Sequence, residues 1–274
     1  MFACTRKDRL STRGGAPYLA LHLRDSTGSV SARAFRDADQ LAGRFQRGDL
    51  VRVRGAVERF RDELVVEVTD IARVDPDTAD GDPASFLPQT YRDVEELDGF
   101  LEHLAGEVHH HGLRGLLERM LAEEELRAQW RRAPCSRAGH HAYLGGLLEH
   151  TVAVTQLALE ACQLHPRLNS DLLLSAAIVH DIGRTREFTY GAEIGLTDEG
   201  RLLGHLAIAQ QLVTEYANGL DRELRLALLH CVLAHHGPGS APGGRFACAE
   251  AVALFRLNAL DATVKEALEH GLPR

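Results

Sequence analysis

The stretch Ile178-Val179-His180-Asp181-Ile182-Gly183-Arg184 directly follows an apolar run at residues 172–177. The run predicts a buried helix, and Gly183 is predicted to end it as a C-cap glycine. Burying an unpaired carboxylate is costly, so Asp181 needs a cation, a metal ion or several donors beside it. An adjacent imidazole and carboxylate can direct one nitrogen and two oxygens to the same point. The alternative is a hydrogen-bonded core His180 with a solvent-facing Asp181, and the rest of the chain decides between the two.

The composition is that of a globular protein, with 45% hydrophobic and 26% charged residues among 274. This length allows two domains or one large domain. No apolar run is long enough to span a bilayer, and the N-terminus lacks the apolar segment of a signal peptide. The five cysteines are odd in number and never spaced as C-x-x-C. We therefore expect a cytoplasmic protein with free thiols, without a disulfide framework or a zinc ribbon.

Charge is unevenly distributed along the chain. Residues 1–75 carry 14 Lys and Arg against 11 Asp and Glu, whereas the whole chain has 31 against 39 and a net charge of −8. The first part is mildly basic and the remainder acidic, which indicates two parts with different tasks. Such a weak positive balance is not that of a tight duplex binder.

Residues 1–75 alternate between apolar and polar side chains with the period of β-strands. Leu19, Leu21 and Leu23 are predicted to face inward. Strands are predicted near residues 1–7, 17–24, 30–35, 51–54 and 64–71, with a helical piece at 37–45. Five short strands with a helix between the third and fourth have the element order of an OB-fold, a small closed barrel. The pattern also resembles OB domains that bind single-stranded nucleic acid.

Helical spacing replaces this alternation in the second part of the chain. A Pro-, Gly- and Asp-rich stretch opens a linker predicted at residues 76–90. Helices are predicted at residues 95–108, 113–130, 144–164, 171–182, 204–217, 222–235 and 249–270. The predicted fold class is therefore multidomain: a small all-β OB-fold barrel (1–75), followed by an all-α helical bundle (91–274).

Histidines and aspartates recur at apolar positions of these helices. His150 lies within a long apolar helix, His205 at a helix start, His235 at a helix end and Asp261 on an apolar helical face. Any one of them alone is more often a satisfied core residue than a ligand. In this order, with His180-Asp181, they resemble the HD-domain metal phosphohydrolases. The histidines at 205 and 235 resemble those of the binuclear members.

Longer sequence segments indicate one particular family among the HD-domain proteins. They are His140-His141-Ala142-Tyr143-Leu144-Gly145-Gly146-Leu147-Leu148-Glu149-His150-Thr151, His180-Asp181-Ile182-Gly183, Leu203-Gly204-His205 and His235-His236-Gly237. They resemble the YhaM-type 3′-to-5′ exoribonucleases, which join an N-terminal OB-fold to a C-terminal HD domain. The resemblance covers nearly the whole chain. Arg184 departs from it, because the family usually has Lys there.

The resemblance and the ligand chemistry together imply two divalent metal ions. The residues assigned to one ion are His150, His180, Asp181 and Asp261, and those assigned to the other are Asp181, His205 and His235. The choice between His235 and its neighbour His236 stays open. Imidazole and carboxylate ligands suit Mn²⁺, the first choice, with Fe, Ni, Zn and Mg as alternatives. No cysteine stands where a thiolate ligand is expected.

The reaction expected of such a centre is hydrolysis by metal-activated water. Asp181 is expected to bridge the two ions, which would hold a shared hydroxide. No side-chain nucleophile is required, and no G-x-S-x-G motif occurs. Arg184, pointing along the rim of the site, and His236 are expected to donate to the substrate phosphate. The alternative for Arg184 is a solvated residue that complements the helix C-terminus.

An OB-fold holds single strands by stacking bases on aromatic rings, at about 1–3 kcal/mol per base, and by basic contacts to the backbone. The candidate residues for this binding are Tyr18, Arg33, Phe35, Arg52, Arg54 and Phe60. The alternative for Phe35 and Phe60 is that they only close the barrel.

These expectations combine into a metal-dependent 3′-to-5′ exonuclease. Its expected partner is single-stranded RNA, with single-stranded DNA as the alternative; no membrane is expected, and a homo-oligomer is compatible with the sequence. Strand polarity and the preference for RNA come from the resemblance alone. Two other functions are an HD-domain phosphodiesterase or phosphohydrolase acting on (cyclic) nucleotides, and a non-catalytic single-strand-binding protein.

Overall fold

The computed structural model describes residues 1–75, 83–191 and 193–271. The chain divides into two compact units, Met1–Pro88 with Thr189–Gly195, and Gln89–Phe188 with Leu196–Arg274. The predicted linker at residues 76–90 lies partly outside the described residues. In its described part, Phe86 is buried in a small cluster with Ala3, Leu50 and Val74.

The first unit is a β-barrel. In the described part of the chain its strands are β1 (Phe2–Ser11), β2 (Pro17–Asp25), β3 (Gly28–Ala34), β4 (Leu50–Phe60) and β5 (Glu63–Arg73). They close in the order β1-β2-β3-β5-β4, and helix α1 (Ala38–Ala42) lies between β3 and β4 in the chain. Only β3 and β5 pair in parallel among these strands. This architecture confirms the predicted OB-fold barrel.

The barrel interior follows the predicted alternation. Leu19, Leu21 and Leu23 are buried, and so is Phe45, which is only 2% exposed. Phe35 and Phe60 are 46% and 44% exposed, so they do not close the barrel. Phe45 fills the core instead.

The second unit is helical. Its helices are α2 (Val94–Gly106), α3 (His111–Ala122), α4 (Glu124–Arg132), α5 (Gly146–Leu164), α6 (Ser170–Val179), α7 (Arg184–Glu187), α8 (Asp198–Leu202), α9 (Gly204–Tyr216), α10 (Arg222–Ala234) and α11 (Ala249–His270). The single helix predicted at residues 113–130 is wrong, because Glu123 has an extended backbone and separates α3 from α4. The predicted bundle is otherwise confirmed.

A short hairpin interrupts the helical sequence, formed by β6 (Phe188–Tyr190) and β7 (Ile194–Leu196). The sequence analysis did not predict it, because three-residue strands are too short to show alternation. Residues 189–195 of this hairpin group with the barrel unit.

Helices α5 and α6 lie at the centre of the helical unit, where α5 packs against α2, α6 and α11. Their inward faces are apolar except for a few buried polar side chains, among them His150 and Ser175, followed by His180 and Asp181 just beyond α6. Within the described residues, no helix combines the length and the apolar character needed to cross a membrane. The buried polar side chains mark the candidate site.

Candidate metal centre and nucleic-acid surface

The His180-Asp181 pair lies in the turn between α6 and α7. His180 is fully buried and its Nδ1 donates a hydrogen bond to Ala177 O at 2.8 Å. His235 repeats this arrangement at the end of α10, with Nδ1 donating to Val232 O at 2.6 Å. In a neutral imidazole such a bond fixes the tautomer and directs the lone pair of Nε2 toward the site, which is the form that binds a metal ion.

Gly183 has a different role from the predicted helix cap. Its backbone is right-handed (φ −61°), so the left-handed C-cap prediction is wrong. A Cβ atom at this position would lie 2.1 Å from His205 O and 2.7 Å from Ala209 N. Glycine is therefore required because α9 approaches the turn this closely, and this approach brings His205 beside Asp181.

The first group of ligand atoms surrounds the Oδ2 oxygen of Asp181. The Nε2 atoms of His150 and His180 lie 3.2 Å apart and are 4.0 and 3.7 Å from that oxygen. Asn258 directs its Oδ1 toward His150 Nε2 at 3.0 Å. These four side chains converge on one point, and each is at most 6% exposed.

The second group surrounds the Oδ1 oxygen of the same carboxylate. His235 Nε2 lies 3.4 Å and His205 Nε2 3.5 Å from Asp181 Oδ1. His236 joins them, with its Nε2 at 2.8 Å from His205 Nε2. One ligand atom from each of these four residues lies within 4.8 Å of all the others. The two oxygens of Asp181 thus face two different sets of imidazoles.

Several buried atoms of the centre lack a hydrogen-bond partner within the described part of the chain, and two of them face the candidate ion site. Asp181 Oδ1 and His235 Nε2 have no hydrogen-bond partner among the residues that the structure describes. Burying such atoms without a partner costs free energy, and native proteins rarely tolerate it. A divalent cation between them would satisfy both, so the residues present fit a metal ion.

The protonation states also fit a metal ion. Burial would raise the pKa of Asp181, but Arg184 and His180 outweigh it and hold this pKa well below its ordinary value. Burial lowers the pKa of His180, and together with the neighbouring His235 it lowers the pKa of His236 to about 3. At neutral pH the carboxylate is therefore charged and these imidazoles are neutral, as metal ligands must be.

Asp261 lies on the other side of His150. Its Oδ2 accepts hydrogen bonds from His150 Nδ1 at 2.6 Å and from His141 Nε2 at 2.9 Å. Burial would raise the pKa of Asp261, but these two imidazoles hold it below its ordinary value. Asp261 thus contacts the nitrogen of His150 that points away from His180, whereas the sequence analysis assigned it to the ion itself.

A chain of hydrogen bonds continues outward from His141. Its Nδ1 lies 2.9 Å from the Tyr143 hydroxyl, which donates to Glu149 Oε2 at 3.0 Å. Lys265 Nζ donates to Glu149 Oε1 at 2.8 Å, and Thr90 Oγ1 donates to Glu149 Oε2 at 2.6 Å. This network anchors the region behind His150 to α5 and α11.

Arg184 lies under the centre rather than along its rim. Its side chain is 12% exposed, with Nε at 3.4 Å from Asp181 Oδ1 and Nη1 at 2.8 Å from Glu187 Oε2. The guanidinium therefore pairs with two buried carboxylates, unlike both the expected orientation along the rim and the alternative of a solvated residue. The role of Arg184 in binding the substrate phosphate stays a prediction.

A thiol also reaches the centre, contrary to the sequence analysis. Cys135 is fully buried in the loop before α5, and its Sγ lies 3.4 Å from Asp181 Oδ2. Asn258, His141 and Cys135 were the residues that the sequence analysis missed. The His140-His141 pair stood inside the quoted family segment, which was the available signal for His141.

The barrel carries a cluster of aromatic rings, of which Phe35 and Phe60 are exposed and Tyr18 is half-buried. Tyr18 and Phe35 stack with ring centroids 5.2 Å apart, and the Arg33 guanidinium lies 4.2 Å from the centroid of the Phe60 ring. A surface pocket of about 220 Å³ is lined by Arg33, Phe35 and Phe60, and also by Glu58. These residues lie near the β1–β2 and β4–β5 turns, the loops with which OB-folds bind oligonucleotides.

Arg52 and Arg54 are not part of this cluster. Both are exposed on β4, where Arg54 pairs in register with Asp70 of β5. Phe60 ends the same strand six residues later, about 20 Å away along an extended chain. The structure thus brings together Tyr18, Arg33, Phe35 and Phe60, and leaves the two arginines apart.

The fold and the buried His/Asp cluster define a class of protein that family comparison also identifies. The family model of the HD domain matches residues 147–263, and that of the OB-fold nucleic acid binding domain matches residues 4–74. The chain is therefore a two-domain protein that joins an OB-fold domain to an HD domain.

Over most of its length the chain is homologous to proteins named 3′-5′ exoribonuclease YhaM. It is 29% identical to the protein of Shouchella clausii over 230 residues, which are 81% of this chain and 70% of that protein. It is 28% identical to the Oceanobacillus iheyensis protein, covering 84% and 72%, and 27% identical to the Listeria welshimeri protein, covering 94% and 84%. The predicted relationship and the prediction of an HD-domain hydrolase are confirmed.

Proposed function

We propose that the chain is a metal-dependent 3′-to-5′ exonuclease that hydrolyses the phosphodiester bonds of single-stranded nucleic acid, with RNA as the preferred substrate. The observation that carries this proposal is the position of Asp181, whose two buried oxygens face two separate groups of imidazoles. A carboxylate in this position is suited to bridge two divalent ions. The preference for RNA and the 3′ polarity rest on the name shared by the relatives.

In this proposal the first ion is held by His150, His180, Asp181 and Asn258. The second is held by Asp181, His205, His235 and His236. Asn258 replaces Asp261 as a ligand because its amide oxygen points at His150 Nε2, the nitrogen available to the ion. A carbonyl oxygen is an acceptable ligand for Mn²⁺, the first-choice ion. When bound there, two such ions would supply an activated water molecule and positive charge beside the reacting phosphate.

Asp261 then has an orienting role. Its Oδ2 accepts a hydrogen bond from His150 Nδ1–H, which sets the tautomer and the ring position and raises the basicity of Nε2. The carbonyl oxygens of Ala177 and Val232 do the same for His180 and His235. The chain itself thus pre-orients three of the imidazoles before any ion binds.

The barrel is proposed to hold the single strand. The Tyr18–Phe35 stack, with Phe35 exposed, and the exposed Phe60 ring offer faces on which bases can stack, and Arg33 offers a charge for the backbone. A soluble mononucleotide or cyclic dinucleotide needs no such surface, so this cluster favours a strand over a small nucleotide as the substrate.

The test is hydrolysis of a 5′-labelled single-stranded RNA in the presence of Mn²⁺. We expect a ladder of products shortened from the 3′ end, slower shortening of DNA of the same sequence, and no products with a chelator. Asp181→Ala should abolish the ladder and lose bound metal. The exposed Glu160→Ala on α5 serves as the control and should behave as wild type. Metal-bound protein without any shortening of the strand would overturn the proposal.

A further inference from the structure

The loop between α4 and α5 brings a thiol and an imidazole to the edge of the metal centre. Cys135 is fully buried, and its Sγ lies 3.6 Å from His140 Nε2 and 3.4 Å from Asp181 Oδ2. One ligand atom each from Cys135, His140 and His150 lies within 4.8 Å of the other two. A cysteine buried only for packing would have apolar neighbours, whereas this sulfur faces ligand atoms.

Hydrogen bonds hold this loop in place. Cys135 N–H donates to His141 O at 3.1 Å, and Ser136 Oγ donates to His140 O at 2.8 Å. Ser136 Oγ also accepts from Gly139 N at 3.0 Å. Cys135 and His140 are therefore positioned by the backbone before any ion binds.

We propose that Cys135, His140 and His150 form an alternative binding site for a divalent ion, selective for soft ions such as Zn²⁺ and Cd²⁺. We call these three residues the thiol site. The proposal rests on the proposed function, since His150 is also a ligand of the first ion there. A divalent ion that binds the thiol displaces its proton to solvent.

His150 makes the two sites exclusive. Its Nδ1 is engaged by Asp261, so only Nε2 remains to bind an ion. An ion in the thiol site therefore takes His150 away from His180 and Asp181. The thiol site adds no third ion; it decides where the first ion lies.

The ligand types decide which ion goes where. Thiolates favour soft ions such as Zn²⁺, whereas carboxylate and carbonyl oxygens suit Mn²⁺ and Mg²⁺. A hard ion is thus directed to the group that contains Asp181 and Asn258, and a soft ion to Cys135. Zn²⁺ or Cd²⁺ should then inhibit the Mn²⁺-dependent reaction, because an ion in the thiol site removes His150 from the ligands of the first ion.

The test uses Co²⁺ as the probe, because cobalt bound to a thiolate absorbs strongly in the near ultraviolet. Metal-free full-length protein is titrated with Co²⁺ in the absence of oxygen, and bound metal is counted in parallel. We expect a thiolate-to-cobalt band in wild type and in the control Cys162→Ser, a partly buried cysteine of α5. Cys135→Ser should lack the band and bind the same number of ions. His140→Ala should weaken the band.

The outcomes separate this proposal from the proposed function. If wild type binds no Co²⁺, the metal centre itself is refuted. If Co²⁺ binds without the band, or the band persists in Cys135→Ser, only the thiol site is refuted. Should Cys135→Ser fail to fold, X-ray absorption of the Zn²⁺-loaded wild type decides: a sulfur neighbour at ~2.3 Å supports the site, and a shell of nitrogen and oxygen alone overturns it.

Discussion

Asp261 Oδ2 lies 2.6 Å from Nδ1 of His150, while Nε2 of the same ring faces His180 at 3.2 Å. The carboxylate and the candidate ion site are therefore on opposite sides of one imidazole. We therefore propose that Asp261 orients His150 as a ligand rather than binding the first ion itself.

Asp261→Ala should lower the affinity for the first ion by about 10–100-fold, the usual cost of losing such an orienting partner. The number of ions bound at saturating Mn²⁺ should stay the same, whereas His150→Ala should lose an ion. Isothermal titration of metal-free protein measures both quantities. Loss of one ion from Asp261→Ala at saturation would instead make Asp261 a direct ligand.

Asn258 lies beside Nε2 of His150, the nitrogen that faces the candidate ion site, and substitutions there test whether it contacts the ion. Asn258→Asp places a negative charge beside the ion and should tighten Mn²⁺ binding on the order of tenfold, because affinity rises with ligand charge. Asn258→Leu removes the oxygen and should weaken binding. Equal Mn²⁺ affinity in wild type and both variants would show that this side chain does not contact the ion.

Arg184→Ala should destabilise the metal-free protein by about 3–5 kcal/mol, because it leaves Asp181 and Glu187 buried without their cation. Saturating Mn²⁺ should reduce this loss, since the ion then neutralises Asp181. Urea unfolding with and without Mn²⁺ measures the effect. Arg186→Ala, on the same short helix and 43% exposed, is the control. Unchanged stability with a tenfold or greater loss of kcat/KM, about 1.4 kcal/mol, would instead favour contact with the substrate phosphate.

Phe60→Ala and Tyr18→Ala should each raise KM for a long single-stranded RNA about five- to 150-fold, equivalent to ~1–3 kcal/mol of lost stacking. Hydrolysis of a small artificial phosphodiester should not change, because that substrate has no bases to stack on these rings. Tyr91→Ala removes a fully exposed aromatic ring outside the barrel and is the control. Equal effects on both substrates would argue against a strand-binding role for the barrel.

The lowered pKa of Glu149 should make the free energy of unfolding depend on pH. Burial would raise its pKa, but hydrogen bonds from Lys265 and Thr90 outweigh burial and hold the pKa below its ordinary 4.5. The stabilisation is therefore fully present above pH 4.5 and is lost as the pH falls through the lowered value. Glu149→Gln should cost about 1.5–3 kcal/mol of unfolding free energy at pH 7 and progressively less in acid. Glu160→Gln, exposed on the same helix, should show no such trend.

Local patterns in the sequence were sufficient to predict the barrel and the helical bundle, but not the β6–β7 hairpin. Leu19, Leu21 and Leu23 alternate because each strand buries one face, and the helices show their own period for the same reason. The break at Glu123 was not predictable, because helical spacing continues through it. The histidines and Asp181 could be proposed from the sequence because polar residues stood out in apolar helices and matched a family pattern.

Only the tertiary structure decided which atoms meet. Asn258 and Asp261 are three residues apart on α11 and share one face, so helical spacing makes them equal candidates. The packing of α11 against α5 places Asn258 at one nitrogen of His150 and Asp261 at the other. Cys135 carried no pattern at all, since a single thiol in a loop reaches Asp181 only once residues 46 positions apart are folded together. Which side of an imidazole a neighbour occupies is a property of packing between distant segments, and no local period encodes it.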